Sequence, residues 1–564
     1  MKNRRLNILV WAAAALLLAA GCSGGDDPDP EPSKPSTPSQ PSNPGGNGGN
    51  GGNGGGTAEI PPHHFLMGSL FGFEKGIRNG DSAASGGSTS TTYYNKPLFE
   101  AGVFESSDDD WWDNLVEEYL YSGLDYMAPN CRGRLPRAGT EARYNVDHGD
   151  PTRIADLIAA LERRGTDRLK IAIFDDAPAS WAAARNLDLY NSYVSLRGNS
   201  AEDRYPVENL DDIYKYIWDY NIKLAFENFY GANQQYNKYL FRYDGKPVLF
   251  IWSINGFLNV EYGGQRPDCT GKLKAILDKI HADFEATFGE KLFICVDKAF
   301  RDRDSQVDGS VVEAMNDWFV ASEQTSNRSW YTLRSLNGHD VGVAVPGFLT
   351  NDRSGNRMLF DSNHGKTLTE ALDYFAKYEA DLLLLEGFTD MLENAAYWRS
   401  TDTKYYDYPN QRLNILRKYH STEAWPEQLR VEAEACDYYK DNSTGNTGRQ
   451  YRQGDLDVKR CTDGFKGWCV TDTEAGEWLR WVELPYRAGT SKVVLRYAAQ
   501  AEVEVRFDID GQTGTAVKLP STGGAWRDAE VARVTFEQNG WRETVVQILG
   551  GNADLNCFTI VSER

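Results

Sequence analysis

Between residues 58 and 420, short apolar and β-branched runs alternate with stretches of helical spacing, and this alternation constrains the fold more than any other feature. The runs lie at 63–71, 124–129, 169–174, 248–252, 292–296, 314–320, 341–346 and 381–385. Between them Ile154, Leu157, Ile158 and Leu161 repeat at helical spacing, as do Leu273, Ile276, Leu277, Ile280 and Phe284. Strands alternating with helices over this length predict an α/β domain, a (β/α)8 TIM-like barrel over 58–420. A doubly wound sheet is the alternative. In the barrel, active sites sit at the C-terminal ends of the strands. Polar residues stand at those predicted ends: Glu74, Asn130, Asp175, Asp176, Asn255, Asp297, Glu386 and Asp390.

The chain before the barrel is not part of the fold. Lys2, Arg4 and Arg5 precede an apolar run over 6–20 that is too short for an ordinary transmembrane helix. Ala19, Ala20, Gly21 and Cys22 then resemble a bacterial lipobox. That resemblance implies a signal peptide over 1–21, lipid attachment at Cys22, and a membrane partner reached through the anchor. Asp26 and Asp27 resemble the surface-export signal of Bacteroidota-type lipoproteins, so the expected location is the outer membrane, exposed at the cell surface. Residues 22–57 are Pro/Ser and then Gly/Asn repeats, a disordered tether that lacks the apolar surface to fold.

A net charge of −21 argues against a nucleic-acid partner, because phosphate binding needs a basic face. Export permits disulfides, and Cys436, Cys461, Cys469 and Cys557 allow one or two bridges near the C-terminus. There is no Cys-x-x-Cys, no His-Glu-x-x-His, no Gly-x-Ser-x-Gly elbow between 58 and 420 and no phosphate-binding Gly-x-x-x-x-Gly-Lys loop. No catalytic cofactor is expected.

The segment from Leu382 to Asn394 feeds an apolar strand directly into Glu386, Asp390 and Glu393. Asp390 and Glu393 share a face if the loop begins a helical turn. Paired carboxylates suit glycoside hydrolysis, in which one is protonated to assist the leaving oxygen and the other attacks or activates water. The competing explanation is a helix start with acidic residues favoured by the dipole. The stretch Val345, Pro346, Gly347, Phe348 with Asn351, Asp352 and Arg353, and the stretch from Tyr243 to Phe250, resemble the seventh-strand region and fourth-strand entry of glycoside hydrolase family 99 and 71 barrels. Thr389 to Glu393 then falls where those families carry their paired catalytic carboxylates, which implies Asp390 and Glu393 as the catalytic residues. Thr389 and Met391 replace the usual Asn and aromatic spacer, and a shifted alignment puts Glu386 in the first carboxylate's place. Family 99 members are retaining endo-acting α-mannosidases or mannanases, and family 71 members cleave α-1,3-glucan. Asn130, Asp176, Trp252 and Asp297 are the expected substrate contacts, while Trp318 and Tyr126 line subsites or pack in the core.

From 428 to 564 the pattern changes to strands with period-two alternation at 492–497, 502–509 and 544–549, predicting a β-sandwich (jelly-roll) module. Glu432 and Glu434 alternate along one strand, face the same side and repel unless something neutralises them; a hard cation would do so, and a solvated charged face is the alternative. Val431 to Glu434, Thr473 to Leu479 and Leu519 to Trp526 together resemble family 6 carbohydrate-binding modules. The resemblance implies a structural calcium on Glu432, Glu434 and either Asn556 or Asp554, and a sugar clamped by Trp526 and Trp468 with Asn552 hydrogen-bonded to it. Trp478 and Trp481 flank a strand and are assigned to the core. The whole architecture also resembles Bacteroidota barrels of unknown function that carry this C-terminal module.

Two readings follow. The first is a surface-anchored, endo-acting glycoside hydrolase whose module holds a polysaccharide or glycan near the barrel. The second is a non-catalytic glycan-binding lipoprotein on a degenerate hydrolase barrel.

Overall fold

The computed structural model describes residues 65–72, 97–99, 108–133, 149–176, 214, 217–252, 270–321, 328–351, 357–391, 393–463 and 467–563. The expected signal peptide and tether over residues 1–57, with Cys22, and also Glu74 and Asn255 lie outside the described residues.

The first part is built on β1 (Leu66–Phe71), β2 (Tyr126–Cys131), β3 (Lys170–Ile171, continued by Ile173–Asp175), β4 (Lys246–Ile251), β5 (Phe293–Asp297), β6 (Ala314–Asn316), β7 (Tyr331–Leu336), β8 (His339–Ala344) and β9 (Leu382–Leu385). Helices α1 (Asp108–Ser122), α2 (Ile154–Arg164), α3 (Lys272–Phe288) and α4 (Lys366–Lys377) intervene, and α5 (Gln411–Lys418) follows β9. Neighbours run β6-β5-β4-β3-β2-β1-β9-β8-β7. Every pair along this path is parallel except β8 with β7. Both β7 and β8 lie against β6, so the wall is a nearly closed barrel of mixed sheet, which excludes an open doubly wound sheet.

The antiparallel strand departs from the expected all-parallel wall, and its cause is local. Asn337 and Gly338 have φ of 55° and 80° and join the paired residues Leu336 and His339. This is the two-residue hairpin turn that Asn-Gly favours. β7 is half-buried or exposed throughout, so no apolar run announces it.

Side-chain alternation divides the wall into two layers. Tyr126, Ala128, Ala172, Phe174, Val248, Phe250, Phe293, Cys295, Ala314, Val341, Val343, Leu382 and Leu384 form one cluster inside the barrel. The intervening Met127, Ile171, Ile173, Leu249, Ile251, Ile294, Val296, Leu383 and Leu385 belong to the outer cluster that packs against the helices. Gly68 makes room for this interior, since a Cβ there would lie 2.1 Å from the Tyr126 ring. Tyr126 is fully buried, stacks on Phe241 at 4.1 Å and donates its hydroxyl to the Leu383 carbonyl at 2.6 Å. It is a core residue and lines no subsite.

The second part is a β-sandwich. Its strands are β10 (Gln428–Glu432), β11 (Tyr438–Lys440), β12 (Val458–Arg460), β13 (Trp468–Val470), β14 (Trp478–Tyr486), β15 (Gly489–Ala498), β16 (Val503–Ile509), β17 (Val517–Leu519), β18 (Arg527–Phe536), β19 (Gly540–Gly550) and β20 (Asp554–Glu563). One sheet runs β12-β13-β20-β15-β18 with β10 also on β20, and the other runs β11-β14-β19-β16-β17. Trp481 is 1% exposed in the core between them, and Trp478 is half-buried.

Barrel and sandwich are packed together. Phe99 meets Trp468 at 5.1 Å, Arg460 pairs with Asp110, and Glu483 accepts from Tyr408 and from Lys418 at 2.6 Å. Asn410 donates from its main chain and side chain to Asp437 at 2.9 and 2.8 Å. The Asn410 Oδ1 in turn accepts from buried Arg399 at 2.6 Å. Arg399 also pairs with Glu117, and its N–H donates to Glu118 at 3.0 Å.

Candidate functional site

One step beyond the apolar interior, the same inward alternation reaches Asn130 on β2, Asp176 after β3, Trp252 after β4, Asp297 ending β5, Asn316 ending β6 and Glu386 after β9. These positions follow Ala128, Phe174, Phe250, Cys295, Ala314 and Leu384 by two residues, so they ring the C-terminal mouth. Glu386 continues the sheet, donating its N–H to the Ala344 carbonyl at 2.9 Å. Burial holds the Tyr397 hydroxyl well above its usual range, and the Glu386 carboxylate adds to that push. Trp252 and Trp318 are half-buried, with ring centroids 5.5 Å apart.

Three buried oxygens on this ring have no hydrogen-bond partner: Asn130 Oδ1, Asp176 Oδ1 and Asn316 Oδ1. A buried acceptor left unpaired costs roughly 1–3 kcal/mol, so the ring is set to receive donors. The other Asp176 oxygen pairs with Arg132 Nε at 3.0 Å. Asp297 accepts the N–H groups of Ala299 at 2.8 Å and Trp318 at 3.0 Å. Burial nevertheless lifts its carboxyl to about 7, against those donors, with Asp317 adding to the rise. Asp175, one residue out of phase, faces away from the interior and accepts from Asn221 at 2.7 Å. Asn316 is missing from the sequence-derived set because the run at 314–320 places the strand end too late.

Asp390 and Glu393 lie beyond the ring, in the turn that follows β9. Asp390 Oδ1 accepts the Glu393 N–H at 2.9 Å, and the Asp390 carbonyl accepts from Ala395 at 2.9 Å. Thr389 Oγ1 accepts from Gly72 N at 3.1 Å, and Phe388 N donates to the Leu70 carbonyl at 2.7 Å, so the turn is pinned to the end of β1. Gly387 has φ of 76°, and a Cβ there would meet Ala395 at 2.9 Å. Asp390 therefore shapes the turn, and Glu386 is the strand-end carboxylate.

In the sandwich, Trp526 is half-buried after the turn formed by Thr522 to Ala525, and its Nε1 donates to Thr462 Oγ1 at 3.0 Å. Asn552 is exposed. Trp468 differs from the expectation of a sugar clamp. It is 4% exposed, lies 5.1 Å from Phe99 and 5.2 Å from Tyr451, and has the Arg460 guanidinium 5.0 Å from its ring. The barrel covers the face that a lone module would leave open.

Glu432 and Glu434 line one cavity of about 40 Å³ together with Asn556 and the barrel residue Glu117. Glu432 is held by Arg430 at 2.6 Å and Arg164 at 3.1 Å, and Asn556 Oδ1 accepts from Arg430 at 3.2 Å. Glu434 is 4% exposed, and its Oε2 has no hydrogen-bond partner. Burial, and then Glu432, push its carboxyl well above the usual range. Asp554 instead pairs with Lys459 at 2.8 Å and accepts from Thr471 at 2.6 Å. Among the described residues no three acidic, His or Cys side chains converge on one point, so a cation here needs the Asn556 amide, main-chain or water oxygens to complete its shell. The room beside the unpartnered Glu434 oxygen exceeds the roughly 10–15 Å³ that holds a water, but Arg430 already occupies the Glu432 and Asn556 oxygens, so a hard cation fits only by displacing that guanidinium.

The family model described as "Domain of unknown function (DUF5010)" matches residues 63–438. The model described as "Carbohydrate binding module (family 35)" matches residues 452–560. No curated protein matches the chain. Among solved structures, the family 6 module of lichenase 5A from Cellvibrio mixtus, in complex with cellotriose, is 19% identical and covers 24% of this chain and 98% of that one, with a TM-score of 0.20. The C-terminal family 6 module of the laminarinase LamC from Zobellia galactanivorans is 17% identical over 24% of this chain and 99% of that one, at a TM-score of 0.20. The GH26-CBM35 β-(1,4)-mannanase of Podospora anserina is 14% identical over 24% and 28%, at 0.17. The C-terminal sandwich is a carbohydrate-binding module, matched over residues 452–560 by the family 35 model.

Proposed function

This chain belongs to the family described as "Domain of unknown function (DUF5010)", and we propose that its barrel is a (β/α)8-type glycoside hydrolase domain served by a glycan-holding module. The observation that carries this reading is the set of unpartnered oxygens on Asn130, Asp176 and Asn316, on the same strand-end ring that bears Asp297 and Glu386. Sugar hydroxyls supply the donors that those oxygens lack. Trp252 offers an apolar face to a pyranose ring. Asp297, lifted to about 7, carries a proton near neutral pH and gives it to the leaving glycosidic oxygen. Glu386 is the nucleophile that attacks the anomeric carbon or the base that activates water for that attack. Surface exposure through Cys22 and an endo-acting mode belong to the same proposal.

A second reading, catalysis by Asp390 and Glu393, draws on the family 99 and 71 resemblance. Against it stands the Asp390 carboxylate's role in holding the Glu393 N–H. The deciding experiment is a hydrolysis screen of the protein lacking residues 1–56 on α-mannans, α-glucans and plant and host glycans, with variants at all four carboxylates. Binding without release would favour the non-catalytic capture protein.

In the module, Trp526→Ala is expected to weaken glycan binding about tenfold, roughly the 1.4 kcal/mol of one stacked ring, without loss of fold. Trp468→Ala is expected to cost about 3–5 kcal/mol of stability. Titration calorimetry and urea melts separate the two effects, and equal effects of both variants on affinity alone would put Trp468 back in the sugar site.

Glu434, Glu432 and Asn556 would hold a calcium ion once Arg430 leaves the Glu432 and Asn556 oxygens, and the bound ion would neutralise the buried Glu434. Chelation with EGTA is expected to lower the melting temperature of the parent. Glu434→Gln removes the buried carboxyl, so the chelated variant should melt above the chelated parent and show no calcium response. A raised carboxyl pKa favours the protonated folded state, so the chelated parent should lose stability as pH rises above about 4.5. Unchanged melting with and without EGTA would remove the ion.

A further inference from the structure

The hairpin of β12 and β13 carries a cysteine on each arm. Lys459 pairs with Cys469, Arg460 pairs with Trp468, and the Cys461 N–H donates to the Gly467 carbonyl at 2.9 Å. Cys461 and Cys469 are therefore diagonal neighbours on one face of an antiparallel pair, close enough for each to perturb the other's thiol. All four C-terminal cysteines are free thiols in this structure, so the expected bridges are not formed in it; Cys461 is half-buried and Cys469 is buried.

We infer that Cys461 and Cys469 form a disulfide that closes the loop between β12 and β13. The residues next to Cys461 show what the bond would fix. Thr462 Oγ1 seats the Trp526 indole at 3.0 Å. Asp463 pairs with Arg496 at 2.7 Å and accepts from Asn556 Nδ2 at 2.9 Å. The loop thus ties Trp526 to the strand that bears Asn556, and the bond holds that arrangement. Its effect on glycan affinity rests on Trp526 being a sugar platform; the bond itself does not.

The reaction balances with a low-molecular-weight disulfide as oxidant. The Cys461 thiol is held below its usual range by its contact with Cys469, so it is the first to lose its proton and attack. Its thiolate attacks the oxidant, expels one thiol and forms a mixed disulfide. Cys469 then gives up its proton, attacks the Cys461 sulfur and expels the second thiol. Two protons and two electrons leave the protein, and one disulfide is reduced to two thiols. Cys131, Cys295, Cys436 and Cys557 are buried, and burial pushes each thiol up, Cys436 to about 11. They stay reduced.

The test equilibrates the full chain with glutathione disulfide, unfolds it in guanidinium, blocks free thiols with iodoacetamide and maps the digest by mass spectrometry. The expected result is a cross-linked peptide joining Cys461 to Cys469, lighter by two hydrogens, with label on the four buried cysteines. Label on both Cys461 and Cys469, or a cross-link from either to a different cysteine, overturns the inference. Glycan affinity is measured on the same oxidised protein, on the dithiothreitol-reduced protein and on Cys461→Ser/Cys469→Ser. Affinity should fall severalfold in the last two. A mapped bond with unchanged affinity leaves the disulfide standing and removes Trp526 from the sugar site.

Discussion

Glu386→Gln and Asp297→Asn are each expected to slow glycan hydrolysis about a thousandfold, the middle of the range for a positioned acid or base. Glu386 is half-buried at the end of β9 and continues the strand by its N–H bond to Ala344, so the amide should be accommodated without loss of fold. Asp297 adds a pH signature. As the acid it must carry its proton, and burial sets that proton's loss at about 7. kcat/KM should therefore fall as pH rises through about 7, and the falling limb should vanish in the residual activity of Asp297→Asn. Asp390→Asn should act differently. Its oxygen holds the Glu393 N–H, so the loss should be smaller and should come with a lower melting temperature. Steady-state rates on the glycan found by the screen check all three. Parental activity in Glu386→Gln with complete loss in Asp390→Asn and Glu393→Gln would transfer catalysis to the turn.

Arg399→Met should destabilise the barrel by about 3–5 kcal/mol. The Arg399 side chain is 1% exposed, and it is the counter-charge for Glu117 and for fully buried Glu118. Removing it strands two carboxylates and opens the Asn410–Asp437 link to the sandwich. The cost should depend on pH. Burial lifts Glu118 from 4.5 to about 8, against the attraction of Arg399. A carboxyl with a raised folded-state pKa binds its proton more readily folded than unfolded. Its contribution therefore favours folding below about 4.5 and is lost as pH rises through about 8. The variant should sit closest to the parent near pH 5 and fall furthest behind above pH 8. Urea melts at the two pH values read this directly, and a pH-independent difference would show that Glu118 is compensated by other groups.

The strands were legible because burial on both faces forces continuous apolar runs. Leu382 to Leu385 and Val248 to Ile251 could hardly be anything else. The ring at the mouth was legible for the same reason. Once a strand's end is known, period two assigns Asn130, Asp176, Trp252, Asp297 and Glu386 to the inside. Asn316 was lost because Trp318, Phe319 and Val320 prolong the apolar run past the last paired residue. β7 was lost because its side chains are not buried enough to alternate, although Asn337-Gly338 announced the turn.

Sequence by itself determined the period of each segment, and with it which strands build the barrel wall and which the sandwich. It also determined that Glu432 and Glu434 share a face and need neutralising. Only the tertiary structure decided that Arg164, from a barrel helix far away in the chain, reaches Glu432, and that Phe99 covers Trp468. It alone set Asp390 to hold a turn while Glu386 took the strand end. Periodicity is a property of neighbours along the chain, whereas counter-charges, covered rings and capped turns depend on which distant segments meet, and the free energy of those meetings is not carried by either segment alone.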